Sequence, residues 1–222
     1  MTKIMIGVPA RDTVMTGFAH SLAVMMGVSA CIPDLEIRLV TQSGTLICDQ
    51  RAKLAQACLD DGCDWLLMLD SDMRFPGDTL VQMLQRNEPI VTANYSTRRV
   101  PPEPVAFKSI KTCEKLYTGP ESTGLEEVAA NGLGVALIHR SVFEAMEKPW
   151  FFIPYIPASD GHWGEDVWFC NQARKAGFAT LVDHDLSKSV KHIGIREYDY
   201  LDADAVRDEV VAEWRKSQDG SV

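Results

Sequence analysis

The chain has 222 residues, of which 46% are hydrophobic and 24% are charged, which is ordinary for a globular protein with its own core. Its formal net charge is -9. That charge argues against a general polyanion binder, because contact with a phosphate backbone requires clustered Lys and Arg.

The cysteines and the apolar segments indicate a cellular compartment. The six cysteines form no Cys-x-x-Cys pair, which favours free thiols in a reducing compartment over a disulfide framework or a zinc site. No apolar stretch approaches the roughly 18 residues that span a bilayer, and the N-terminal apolar run is too short for a signal peptide. We therefore expect a cytoplasmic protein.

Strand-like and helix-like segments alternate through the first 95 residues. Apolar runs bounded by turn residues predict buried strands, and apolar residues spaced three or four apart predict amphipathic helices. The strands are expected at residues 4–8, 35–41, 64–69 and 89–95, and the helices at residues 17–27, 47–60 and 76–85. This alternation is typical of parallel βαβ units with right-handed crossovers. The first three strands should therefore end at one shared crevice.

The second half of the chain is less regular. Residues 96–125 are rich in proline and turn residues, which is more typical of a functional loop than of filler. A strand is expected at residues 128–139, where Gly132 and Gly134 indicate a close approach of backbone or ligand. The remaining predicted elements are an aromatic stretch at 149–163, a helix at 165–175, a strand at 179–182 and a C-terminal helix at 203–214.

The third predicted strand ends on two carboxylates, Asp70 and Asp72, which are separated by Ser71. In open α/β sheets, ligands bind just outside the carboxyl ends of the strands. Two acids there can hold a divalent cation and, through it, the phosphates of a substrate. Asp70 could instead accept a ribose hydroxyl. The structural alternative is that Asp70 caps a turn and that Asp72 is solvated.

Gly164, Glu165 and Asp166 open the predicted helix at 165–175. Acids at this position are favoured by the helix dipole, which is the structural interpretation. The preceding Trp163 supports a catalytic one. Aromatic faces pack against the apolar side of sugar rings, and a carboxylate beside such a face can take a proton from a hydroxyl.

His192 ends a strand-like stretch shortly before Gly194. A neutral imidazole is a common metal ligand and favours Mn²⁺ over Mg²⁺. His184 is a second candidate for the same role, and a lone histidine can also be purely structural.

Arg51 lies on the apolar stripe of the helix predicted at residues 47–60. Its guanidinium therefore either extends past the edge of the core or points into the crevice. In the crevice it could bind a phosphate with two parallel hydrogen bonds.

The order of these motifs resembles the GT-A glycosyltransferases, particularly the family 2-like inverting enzymes. The resemblance covers about residues 3–195 and implies a single domain with a Rossmann-like, mostly parallel sheet flanked by helices. The motifs that carry it are Pro9-Ala10-Arg11 after the first strand, Arg51, Asp70-Ser71-Asp72, the glycine-bearing strand, Gly164-Glu165-Asp166 and His192.

The resemblance also implies a role for each motif. It places Mn²⁺ or Mg²⁺ on Asp72, with Asp70 as partner and His192 completing the site. It makes Asp166 the catalytic base, with Glu165 beside it. The acceptor is expected at Trp163 and His162, in the aromatic stretch before this helix. The expected nucleotide-sugar contacts are Pro9, Ala10, Arg11, Arg51, Asp70 and Ser71.

The implied reaction is the transfer of a hexosyl or related sugar from a UDP- or GDP-sugar to an acceptor hydroxyl, with inversion. Residues 1–95 would form the nucleotide-sugar half, 96–195 the acceptor and metal half, and 196–222 a C-terminal helix. The acceptor could be a saccharide, a protein or a modified nucleobase.

Two other interpretations stay open, a nucleotidyltransferase acting on a sugar phosphate and a non-catalytic carbohydrate-binding protein of GT-A type. The base of the donor is also open, because Thr41-Gln42-Ser43 stands where family members commonly carry an acid.

Overall fold

A seven-stranded sheet forms the centre of the molecule. The computed structural model describes residues 1–157 and 160–196, together with residues 204, 207, 208 and 211. The helices are α1 (Thr16–Ser29), α2 (Ile47–Asp60), α3 (Thr79–Gln85), α4 (Arg140–Ala145), α5 (Glu165–Lys175) and α6 (His184–Ser187). The strands are β1 (Thr2–Ala10), β2 (Leu35–Ser43), β3 (Trp65–Leu69), β4 (Met73–Arg74), β5 (Ile90–Thr92), β6 (Phe107–Ser109), β7 (Glu114–Lys115), β8 (Leu125–Val128), β9 (Val135–His139), β10 (Tyr155–Ile156), β11 (Gly161–His162), β12 (Thr180–Asp183) and β13 (Lys191–His192).

Most strands of the central sheet run in one direction. The strand order is β2-β1-β3-β9-β5-β12-β8. β1 pairs in parallel with β2 and with β3, and β12 pairs in parallel with β5. β9 is antiparallel to both of its neighbours, β3 and β5, and β8 is antiparallel to β12. The predicted fold class, a mostly parallel sheet flanked by helices, is therefore confirmed.

Both faces of the sheet are covered by helices. In β3, Leu66 and Met68 face a core formed with α2, α4 and α5, whereas Leu67 and Leu69 face a core formed with α1, α3 and α6. All four side chains are fully buried, and burying such a side chain contributes roughly 1.5–3 kcal/mol. Burial on both faces explains why this strand is an uninterrupted apolar run.

The strand predicted at residues 128–139 is wrong as a single element. Its first residue, Val128, ends β8 at one edge of the sheet, residues 129–134 form a connection, and only residues 135–139 form a strand, β9, in the centre. The connection between them is fixed by the buried Asn131, whose amide donates to Thr92 Oγ1 (2.7 Å) and to the carbonyl of Ala93 (3.0 Å). Gly132 and Gly134 then pass against Tyr95. A Cβ atom at these glycines would lie 2.4 and 2.6 Å from the Tyr95 hydroxyl.

Residues 96–125 are more ordered than the sequence predicts. They contain the antiparallel pair β6–β7, whose connecting turn places Cys113 at a φ of 56°. The N–H of Phe107 donates to the carbonyl of Ala130 (2.7 Å), which ties the pair to the segment before β9. The prediction of an irregular loop is therefore wrong for these two strands.

The predicted C-terminal helix at 203–214 lies largely outside the described residues; of that range, residues 204, 207, 208 and 211 are described, and all four are helical. Within the described part of the chain, no helix combines the length and the apolar character needed to cross a bilayer.

The close approach at Gly132 predicts a loss of stability on substitution. Gly132→Ala should lower the free energy of unfolding by about 1–3 kcal/mol, because the added methyl group would overlap the Tyr95 hydroxyl. Gly27→Ala in α1 is the matched control. Its Cβ would meet nothing within 4 Å, and it should stabilise the protein by about 0.5–1 kcal/mol. Urea unfolding followed by circular dichroism measures the effects of both substitutions. Equal effects would contradict the close approach of Gly132 to Tyr95.

Candidate active site

The predicted crevice lies at the carboxyl edge of the parallel strands. β3 ends at Leu69, so Asp70 and Asp72 stand just beyond the sheet. Because β9 runs the other way, its beginning lies at the same edge, and the Asp70 N–H donates to the carbonyl of Gly134 (2.9 Å). The segment after β1 also reaches this point, where the Met15 N–H donates to the carbonyl of Ser71 (3.0 Å).

Arg51 links three elements of this edge. One guanidinium nitrogen, Nη2, donates to both carboxylate oxygens of Asp70 at 2.9 and 3.2 Å. Nε donates to Glu165 Oε1 at 3.1 Å, and Nη1 to the carbonyl of Leu133 at 3.4 Å. The Arg51 side chain is 3% exposed. Helix α2, the end of β3 and the first turn of α5 are thus joined through one buried cation.

This network determines what Arg51, Asp70 and Glu165 can do. Burial by itself would lower the pKa of Arg51, but the carboxylates of Asp70 and Glu165 hold it above its ordinary value. The guanidinium is directed to carboxylates inside the protein. Its position thus favours the core-edge alternative over phosphate binding. Glu165, which shares the same contact, is placed to orient the next residue, Asp166.

Asp72 and His192 are brought together by the short pair β4–β13. In this pair His192 lies opposite Met73, and the Ile193 N–H donates to the carbonyl of Asp72 (2.8 Å). The side chains meet with His192 Nε2 at 3.5 Å from Asp72 Oδ2. Arg98 Nη1 lies 2.8 Å from the same oxygen.

Asp72 remains a carboxylate in this environment. Its partial burial would raise its pKa, but the contacts with His192 and Arg98 hold the pKa below its ordinary value. A negative oxygen therefore faces the crevice.

The orientation of His192 suits a metal ligand. Its Nδ1 lies 2.9 Å from the carbonyl oxygen of Ser96, and since a carbonyl only accepts, Nδ1 carries the proton. With an ion bound between them, a neutral ring would present its Nε2 lone pair to that ion, and the hydrogen bond at Nδ1 is the second contact that ligating histidines commonly make. Two atoms about 2.1 Å from one ion can be at most about 4.2 Å apart, so the 3.5 Å separation fits one shared ion.

These two residues would supply only part of a coordination shell. Within the described ranges, no group of three or more His, Cys, Asp or Glu side chains is arranged to hold a metal ion. An ion at Asp72 and His192 would therefore need oxygen ligands from a substrate and from water, which is common for Mg²⁺ at phosphate sites.

The second histidine that the sequence offered, His184, lies elsewhere. It is buried, with Nδ1 at 2.9 Å from Thr118 Oγ1 and Nε2 at 3.1 Å from Glu126 Oε2. Both ring nitrogens thus have partners away from Asp72. Of the two histidines, only His192 is in contact with the Asp-x-Asp motif.

Asp166 stands in the first turn of α5. Its Oδ1 accepts the N–H of Val167 at 2.7 Å, and Oδ2 accepts no hydrogen bond from any described residue. Gly164 leaves room for the carboxylate, because a Cβ there would lie 2.4 Å from Oδ1. Burial, reinforced by the charge of Glu165, raises the pKa of Asp166 to about 6. A carboxylate with this pKa can act as a base near neutral pH.

Asp166 opens onto a cleft of about 1350 Å³. Trp163 and His162, the two predicted acceptor contacts, line the same cleft. The backbone N–H of Trp163 donates to the carbonyl of Pro154 (3.1 Å). The rings of His162 and Tyr155 meet edge to face, with their centroids 5.3 Å apart. Strands β6 and β7 and the turn between them form another part of the cleft lining.

The predicted contacts at the end of β1 lie near the end of β2. Pro9 is buried, Ala10 is the last residue of β1, and Arg11 is exposed. The buried Gln50 amide donates to the carbonyls of Ala10 and of Gln42 (2.8 Å), and so fixes both strand ends together.

Sequence reasoning missed two residues of this edge, Gln50 and Tyr95. Tyr95 accepts the Gly134 N–H at its hydroxyl (3.1 Å), and its ring meets that of His192 edge to face at 5.3 Å. Burial raises the pKa of Tyr95, which keeps the phenol protonated. The position of Tyr95 at the end of the strand predicted at residues 89–95 was the available signal, whereas nothing local marks Gln50.

Comparison with known proteins assigns the fold. No protein-family model and no curated protein matches this chain. Among solved structures, A197 from STIV is 15% identical, with a TM-score of 0.54 over 90% of this chain and 100% of that chain. GalNAc-T7, solved with UDP, GalNAc and Mn²⁺, is 11% identical, with a TM-score of 0.52 over 88% of this chain. The match spans 44% of the GalNAc-T7 chain.

The fold is therefore that of the GT-A glycosyltransferases, as the order of the sequence motifs predicts.

The buried position of Arg51 predicts a large effect on stability. Arg51→Met should lower the free energy of unfolding by about 3–5 kcal/mol, because it leaves the carboxylates of Asp70 and Glu165 without their counter-charge. Lys53→Met is the control on the same helix. Its ammonium pairs with Asp49 at the surface (2.7 Å), and its loss should cost less than about 1 kcal/mol. Urea unfolding of the two variants measures both losses of free energy. Similar small losses would contradict a stabilising role for the Arg51 network.

Proposed function

We propose that this protein transfers a sugar from a nucleoside diphosphate sugar to an acceptor hydroxyl with inversion. The observation that carries the proposal is the Arg51 network, which fixes two different carboxylate sites in one frame. On one side, Asp70 is followed by Asp72, which faces His192. On the other, Glu165 is followed by Asp166, which faces the cleft.

The donor would lie at the sheet edge formed by the ends of β1 and β3. Asp72 and His192 would hold a divalent ion, Mn²⁺ or Mg²⁺, which when bound neutralises the diphosphate and stabilises it as a leaving group. Ser71 and Arg11, beyond the ends of β3 and β1, would contact the nucleotide. In the structure, the Arg98 guanidinium pairs with Asp72 Oδ2. It would turn from that oxygen to the diphosphate when an ion is bound.

The acceptor would lie in the cleft, with its hydroxyl at Asp166 Oδ2. This oxygen takes the hydroxyl proton as the acceptor oxygen forms its bond to the anomeric carbon. The bond between that carbon and the diphosphate oxygen breaks at the same time, and the nucleoside diphosphate leaves with the electron pair. Attack from the face opposite the diphosphate inverts the configuration. Trp163 and His162 would position the acceptor ring beside this oxygen.

The proposed ion site predicts a change in metal binding that can be measured without turnover. Asp72→Asn and His192→Ala should each weaken Mn²⁺ binding in the presence of UDP by at least about tenfold, since each removes one of two protein ligands. His20→Ala, at an exposed position on α1, is the control and should bind Mn²⁺ as the wild type does. Electron paramagnetic resonance of free Mn²⁺ gives the affinities.

Asp72→Asn and His192→Ala should also lose activity, and His20→Ala should keep it. Release of nucleoside diphosphate from a panel of UDP- and GDP-sugars indicates sugar transfer, whereas a nucleotidyltransferase would convert the same sugars, with added pyrophosphate, to a nucleoside triphosphate and a sugar 1-phosphate. Full activity in excess chelator, or unchanged Mn²⁺ affinity in both variants, would contradict the ion site.

The raised pKa of Asp166 predicts how the rate depends on pH. The base acts only when deprotonated, so kcat/KM should rise with pH up to about 6 and level off above it. Asp166→Asn should slow turnover at least about 100-fold while donor affinity stays within a few-fold. The variant should also lack the step near pH 6.

Glu127→Gln removes another carboxylate of the same cleft and should retain the step near pH 6. If Asp166→Asn keeps that step, or loses donor binding while it still turns over bound donor, Asp166 is not the base.

A further inference from the structure

The cleft in front of Asp166 carries positive charge in a protein whose net charge is -9. Its acidic lining residues are Glu103, Glu127 and Asp166. Its basic lining residues outnumber them and are Arg99, Lys108, Lys111, Lys115 and Arg174. Five cations against three anions, one of which is the proposed base, make this wall opposite in sign to the molecule as a whole.

Two of the five cations have partners inside the protein. Lys108 Nζ lies 3.5 Å from Glu126 Oε1, and Arg174 Nη2 donates to the carbonyl of Val128 at 2.6 Å. Arg99, Lys111 and Lys115 have no carboxylate within 4 Å in the described part of the chain. These three cations are therefore available to a ligand in the cleft.

Lys115 is the most informative of the three. It lies on β7, is partly buried, and holds its ammonium 3.5 Å from the centre of the Phe107 ring. Burial lowers its pKa and the charge of Arg99 adds to this effect, whereas the charges of Glu103 and Asp166 act in the opposite direction without restoring the ordinary value. Withdrawing a cation from water costs free energy unless an anion compensates it. A ring face compensates only part of that cost.

The wall that presents these cations is held in place before any ligand binds. The buried Asn94, just after β5, accepts the Ala106 N–H at 3.3 Å and donates to the carbonyl of Leu116 at 2.9 Å. It thereby clamps both ends of the β6–β7 segment. A fixed set of cations loses less entropy on binding an anion than a mobile set would.

We propose that the acceptor of this protein is a small phosphate monoester, whose phosphate is bound by Arg99, Lys111 and Lys115 while its hydroxyl reaches Asp166. This inference rests on the proposed function and names its acceptor class. A phosphate monoester carries nearly two negative charges at pH 7, which matches three cations better than a single carboxylate does. A long nucleic acid strand fits less well, because beyond this wall the net charge of the protein repels it.

The anion site is tested first without any donor. Inorganic phosphate is titrated into the 222-residue protein saturated with UDP and Mg²⁺, and binding is followed by ³¹P nuclear magnetic resonance. Lys111→Gln/Lys115→Gln should weaken phosphate binding at least about tenfold, on the scale of losing charged hydrogen bonds. Lys53→Gln/Lys175→Gln, which removes the same charge from α2 and from the end of α5, should bind phosphate as the wild type does.

A second double variant distinguishes a loss of phosphate binding from misfolding. Arg99→Gln/Lys111→Gln changes two exposed side chains and should also weaken phosphate binding, by at least about fivefold if each contact contributes as expected. Unchanged phosphate affinity in both double variants would overturn the proposal, as would equal losses in the control pair.

Transfer assays then identify the source of the phosphate. Glycerol, glycerol 3-phosphate, glucose, glucose 6-phosphate and a twelve-nucleotide single strand are offered as acceptors. The phosphate monoesters should be preferred over their parent alcohols, and Lys111→Gln/Lys115→Gln should erase the preference. Equal use of the alcohols, or tighter binding of the oligonucleotide than of the monoesters, would overturn the proposal.

The two proposals fail in different ways. A protein that binds phosphate through these cations yet cleaves no nucleoside diphosphate sugar contradicts the proposed reaction and supports the anion site. A protein that cleaves the donor but binds no phosphate in the cleft contradicts the anion site alone.

Discussion

The buried guanidinium of Arg51 is the interaction on which the candidate site depends. Removing a cation from water costs several kcal/mol, and here Asp70 and Glu165 offset that cost from two directions. Asp70 lies two residues before Asp72, and Glu165 immediately precedes Asp166. Asp72 and Asp166 are the two residues with proposed chemical roles. The charge of Arg51 is therefore compensated inside the protein, and the network sets the relative position of the carboxylates of Asp72 and Asp166.

The two carboxylates differ because their surroundings differ. Asp72 faces His192 and Arg98, which keep it ionised and suited to a cation. Asp166 faces a cleft next to Glu165, where burial raises its pKa and suits it to proton transfer. The proposed sugar transfer would use one acid for a metal ion and one for a proton.

The β6–β7 segment contributes three of the five cations that make the lining of the cleft positive. The β6–β7 pair is a small addition to the central sheet, but Asn94 fixes it to the end of β5. Its lysines line the same cleft as the proposed base. The net charge of a chain describes solubility and long-range attraction. It does not describe a concave site, where a few side chains of the opposite sign can dominate.

The sequence by itself determined the repeating local patterns of the fold: helices α2 and α5, the apolar strand before Asp70, and the order of the short motifs. These features follow from hydrophobic periodicity and residue type, which act over a few neighbours. Only the tertiary structure decided that β9 enters the sheet between β3 and β5, that His192 rather than His184 meets Asp72, and that Arg51 contacts carboxylates. Each of these outcomes joins residues far apart in the chain, and local pattern carries no information about such pairings.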